Sequence, residues 1–146
     1  MLGWWSLVRA VHVFGAIFWV GGELVISAVL LPVVRRRLEP ALGSYLLGAV
    51  GRRFAVLTVA AFLPLQVITG VALAWHKGVT IESLADPGYG RILAAKLVAF
   101  SLVMIAAGGH GWAMAEGKPV LARSLAIGSL FGSLVVVVLA TALATA

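Results

Sequence analysis

Hydrophobic and polar positions divide this chain into long apolar runs separated by three short polar breaks. The runs cover residues 4–34, 54–76, 89–115 and 119–145. Each reaches the ~20 residues that a helix needs to cross a bilayer. No run alternates with the two-residue period of a barrel strand. The pattern predicts an all-α integral membrane protein: an up-down four-helix bundle forming a single transmembrane domain over residues 1–146. The first break holds Arg35, Arg36, Arg37, Arg52 and Arg53, and predicts a short interfacial helix after Pro40. The second, residues 77–88, ends in the turn signal Asp86-Pro87-Gly88. The third, Glu116-Gly117-Lys118-Pro119, is a tight turn.

Composition strengthens this picture. The chain is 62% hydrophobic and 11% charged, with a mean hydropathy of +1.11. A soluble domain carries about 25% charged residues. With no cysteine, the chain has no disulfide, thiolate metal site or cysteine nucleophile. The net charge of +6 points to orientation and contact with anionic membrane lipids. No basic–aromatic pattern of a nucleic-acid binder is present, so no nucleic-acid partner is expected. The N-terminal apolar stretch lacks a basic leader and reads as a retained first helix. Arg35, Arg36, Arg37, Arg52, Arg53, Lys118 and Arg123 share one face of the predicted topology; Arg9, Lys77, Arg91 and Lys96 share the other. This imbalance predicts a multi-pass protein of the cell (inner) membrane with both termini outside.

The first run carries polar groups that hydrocarbon should exclude. At ~100° per residue, His12, Trp19 and Glu23 fall near one line, with Arg9 about 60° away. An ionisable group in a span costs about 2.5–3.5 kcal/mol and marks a site. By a rise of ~1.5 Å per residue, His12 lies ~12 Å inside the outer boundary, and Glu23 lies about 16 Å further in. His76 ends the second run at the outer boundary, and Lys96 lies about one and a half turns into the third. Up-down topology therefore gathers His12, His76, Arg9, Arg91 and Lys96 into one outer layer.

Two imidazoles ringed by cations suit a b-type haem: His12 and His76 as axial ligands to the iron, Arg9, Arg91 and Lys96 on the propionates. Gly15, Ala16, Thr69, Gly70 and Ala72 leave room for a flat macrocycle, and Trp5 and Trp19 are positioned to pack on it. His76 also fits a plain interfacial residue, and Arg9 and Lys96 fit cations snorkelling to the headgroups. A second cluster places His110 and Met114, spaced i, i+4, near the level of Glu23, with Met104 close in sequence. It fits a copper site, a proton relay, a second haem ligand set, or a Glu23–His110 pair joining two helices. The Gly108-Gly109-His110-Gly111 run thins the third helix there, and Gly128 and Gly132 form a small-xxx-small pair for packing in the bundle or for a homo-oligomer.

Arg9-Ala10-Val11-His12, followed by Trp19 and Gly21-Gly22, resembles the first helix of the HemJ-type protoporphyrinogen oxidases, and Pro64-Leu65-Gln66-Val67-Ile68-Thr69-Gly70 resembles their second. Tyr89-Gly90-Arg91-Ile92-Leu93-Ala94-Ala95-Lys96-Leu97 is similar to the CopD copper-resistance membrane domain, as is Trp19-Val20-Gly21-Gly22. The resemblance implies a four-helix membrane fold with haem b at His12, with Lys96 and Arg9 among the matching positions. It further implies electron transfer, or an oxidase-like enzyme acting on a quinol or porphyrinogen. The CopD side implies copper binding or transport.

Overall fold

The computed structural model describes residues 3–146. Four helices account for its architecture: α1 (Trp4–Arg37), α2 (Pro40–His76), α3 (Tyr89–Ala115) and α4 (Pro119–Thr145). All four are long and apolar enough to cross a membrane. The all-α, multi-pass reading of the sequence holds, and the last two runs match their helices end to end.

The chain divides into two compact units, one ending at Gly78 and one beginning at Val79. The connecting loop belongs with the second unit because its contacts go there. Its short 3-10 turn, Glu82–Ala85, brings the Ser83 carbonyl against Gly90, where a Cβ would collide with it. Arg91 Nε donates to the Ala85 carbonyl at 3.0 Å.

In the first unit α1 and α2 form an antiparallel hairpin. The expected long connection over residues 35–53 is almost entirely helix. α1 runs through Arg37 and α2 starts at Pro40, so only Leu38 and Glu39 break the path. Arginine is a good helix former; proline is what stops the helix. Glu39, forced extended by the following ring, takes φ −54° and ψ 142°. Buried Val34 closes the bend against Gly43.

Each of these helices contains a widened π turn, Val25–Leu30 in α1 and Thr58–Phe62 in α2. The two share one cause. Leu31 N–H donates five residues back to Ile26, and Leu63 N–H donates five residues back to Thr58. Pro32 and Pro64 follow immediately. A proline ring has no N–H and clashes with the carbonyl four residues back, and the extra residue per turn makes room for it.

The second unit pairs α3 with α4. Its seam is built from small residues: Ala113, Ala122, Ser129 and Ser133 are buried, and Val103 fills the groove over Gly132. A Cβ on Gly132 would lie 2.6 Å from Val103 Cγ2, whereas Gly128 has open space. The small-xxx-small pair thus packs within the hairpin, and only at Gly132. Gly117, at φ +65°, permits the sharp turn that joins the helices.

Candidate functional site

The first hairpin brings a ladder of side chains together. Trp5 meets His76, His12 meets Thr69, Gly15 meets Gln66, and Trp19 meets Phe62. Every step forward on α1 is matched by an equal step back on α2, as antiparallel helices require.

His12 is half-buried at the centre of this ladder. Its Nδ1 lies 2.7 Å from Thr69 Oγ1, and that hydroxyl lies 2.5 Å from the Leu65 carbonyl one turn back. A carbonyl only accepts, so the single hydroxyl proton goes to Leu65. Thr69 therefore accepts from His12, and Nδ1 carries the ring proton. The neutral imidazole then keeps its lone pair on Nε2, the atom that ligates or takes a proton. Gln66, itself buried, donates from Nε2 to the His12 carbonyl at 2.7 Å. The α1 backbone and the imidazole are thus both tied to α2, one turn apart.

Gly70 explains why the ring fits. A Cβ there would lie 3.3 Å from His12 Cε1. The space read in the sequence at Gly15, Thr69 and Gly70 is consequently filled by the protein itself. Gln66 occupies the first gap and His12 the other two.

The remaining expected site residues fall into different settings. Trp19 is 6% exposed and stacks between Phe54 and Phe62, at centroid distances of 5.2 and 4.8 Å. It fastens the hairpin. His76 is exposed and stacks on Trp5, with centroids 3.9 Å apart and planes within 9°. The Trp5–His76 pair lies seven residues from the His12–Thr69 pair on each helix, about 10 Å along the axis. Arg9 is exposed on α1. Glu23 is half-buried beside Gly22, whose Cα faces the Phe54 ring.

In the second unit Arg91 clamps the loop through Ala85, and Lys96 is half-buried on α3. His110 Nδ1 lies 2.8 Å from the Ala122 carbonyl on α4. Because a carbonyl only accepts, this ring too is protonated on Nδ1. The observed partner of His110 is thus a backbone carbonyl of its own hairpin. Met114, one turn beyond, is 58% exposed, and Met104 is half-buried. Gly109 admits Leu125 of α4, while Gly108 and Gly111 have open space around them.

Thr69 was legible in the sequence only as a space-leaving position and Gln66 only as part of the 64–70 motif; their hydrogen bonds to α1 define the site. The signal was their three-residue spacing, which puts both on one face of α2.

Among the described residues, no group of three or more His, Asp or Glu is arranged to hold a metal ion. An axial haem ligand requires no such group; one imidazole, held in one tautomer by its other nitrogen, is the relevant donor chemistry. His12 fits that requirement. No family model matches the chain, and no curated protein or solved structure matches it either.

Proposed function

We propose that the first hairpin binds a b-type haem through His12 Nε2 and serves a redox reaction in the membrane. The observation that carries the reading is the Thr69 pin on His12 Nδ1. It orients the ring and leaves Nε2 as the donor. Haem iron, when bound, supplies reversible one-electron chemistry. This chain's own residues hold the ligand ring: Thr69 sets its tautomer, Gln66 sets its height, and the Trp19–Phe54–Phe62 stack holds the helices together below it.

His12 would hold the haem iron, and His76, stacked on Trp5, is the second candidate ligand. The reading is electron transfer or an oxidase-like reaction with a membrane-soluble partner, a quinol or a porphyrinogen. Arg9 would supply a cationic partner for carboxylates on haem or substrate. The arginine-rich end faces the cytoplasm and both termini face outward across the cell membrane.

The test is the absorption spectrum of the protein purified from haem-replete cells. The reading expects a Soret band, a reduced α band of b type, and haem near one per chain. A colourless preparation that also fails to take up added hemin overturns it. Copper near one per chain without iron would transfer the role to His110 and Met114.

A further inference from the structure

The two hairpins treat their cations differently. In the second, Arg91 bonds Ala85 and Lys118 sits 4.2 Å over the Trp112 ring. In the first, Arg35, Arg36, Arg37, Arg52 and Arg53 are all exposed, and none has a hydrogen bond or ion pair among the described residues. Residues 24–53 contain a single acid, Glu39, against these five guanidiniums.

The segment carrying them is not a water-facing surface. Val25, Val29 and Val33 of α1 and Leu42, Tyr45 and Leu46 of α2 are exposed between the two arginine tiers. An apolar patch of this kind belongs in or on a lipid layer. Arg52 follows Pro40 by twelve residues, about 18 Å of helix. The hydrocarbon layer is ~30 Å thick, so the two tiers cannot serve opposite leaflets. They address the headgroups of one leaflet, with the apolar arm inclined between them and the arginine stems reaching outward. A guanidinium meets a phosphate oxygen pair with two parallel hydrogen bonds.

We propose that the arm formed by the ends of α1 and α2 is a binding surface for anionic phospholipid headgroups, held by Arg35–Arg37 at its tip and Arg52–Arg53 at its base. Five unpaired guanidiniums favour a phosphodiester over a zwitterionic headgroup, and the exposed valines and leucines between them favour a lipid over a soluble phosphate or an acidic protein.

The test uses the whole chain in nanodiscs of phosphatidylcholine and phosphatidylglycerol at three to one. Lipids retained on extraction into mild detergent are counted by mass spectrometry. The wild type should hold phosphatidylglycerol in excess of its share. The triple variant R35Q/R36Q/R37Q and the double variant R52Q/R53Q should each lower that excess, by about fivefold per arginine removed. The control K118Q/R123Q should change it less than twofold. Raising sodium chloride to 1 M should release the retained lipid from the wild type, which needs no variant to fold. Equal retention of both lipids by the wild type overturns the proposal, as does a control variant that loses as much as either tier. Displacement by millimolar inorganic phosphate would assign the site to free phosphate instead and overturn the lipid reading. Retention unchanged in both tier variants, the outcome expected of a surface for an acidic protein, overturns it too. None of these readouts depends on haem.

Discussion

The two hairpins each pin one histidine through Nδ1, and they do so for different ends. His12 donates to a hydroxyl, which is free to rotate and is itself held by Leu65. His110 donates to the Ala122 carbonyl in the first turns of α4, close to the bend at Gly117. The surroundings differ in the same sense. Around His12 the seam is wide, with two tryptophans, two phenylalanines, a buried glutamine and a buried threonine between the helices. Around His110 the seam is narrow and filled by alanine, serine and valine. Large, specific side chains leave one seam able to position a functional group. Small ones let two backbones approach and little else. The lesson is that a histidine in a span must be judged by what its bonded nitrogen touches as well as by its cost in lipid.

Substitutions sharpen the contrast, beginning with the largest effect. Trp19→Ala should destabilise the protein by about 3–5 kcal/mol, since it empties the space between Phe54 and Phe62. Thermal unfolding in detergent micelles reads the loss. A change under about 1 kcal/mol would mean the aromatic stack does not hold the first hairpin. Gly132→Ala should cost about 1–3 kcal/mol by pressing on Val103, while Gly128→Ala should be neutral or stabilising. Equal costs at both positions would contradict the seam described for α3 and α4.

Thr69→Val removes the acceptor of His12 and should cost about 0.5–1.5 kcal/mol. Its diagnostic effect lies elsewhere. Nitrogen-15 NMR of histidine-labelled protein should show His12 protonated at Nδ1 in the wild type and in Thr69→Ser, and a mixture of tautomers in Thr69→Val. The same tautomer in all three would break the assignment. Lys118→Gln, which removes a cation from the Trp112 face, should have the smallest effect, about 0.5–1 kcal/mol. A larger loss would show that the second hairpin relies on its bend more than on its seam.

Much of this was legible in the chain. Hydropathy alone located all four helices, because a span must satisfy its backbone internally and shows as an unbroken apolar run. The α1–α2 connection was misread because arginines were taken as the end of helix. They mark a change of solvent and leave helix propensity intact, and only Pro40 stops the backbone. The π turns before Pro32 and Pro64 have no hydropathy signature. His12 stood out through its cost, but its neighbours did not. Thr69 and Gly70 read as spaces, because small and polar residues in a span are ambiguous until the facing helix is placed. Depth counting groups His12 with His76 in one layer, and their spacing of seven residues along the hairpin appears only with its register.

The central claim is that His12, and not His110, is the haem ligand, though both rings carry their proton on Nδ1. Hemin titration of the apoprotein, followed in the Soret region for the wild type, His12→Ala and His110→Ala, tests it most directly. The account predicts saturation near one hemin per chain for the wild type and for His110→Ala, and loss of the specific band in His12→Ala. Retention of the band in His12→Ala together with its loss in His110→Ala would contradict it.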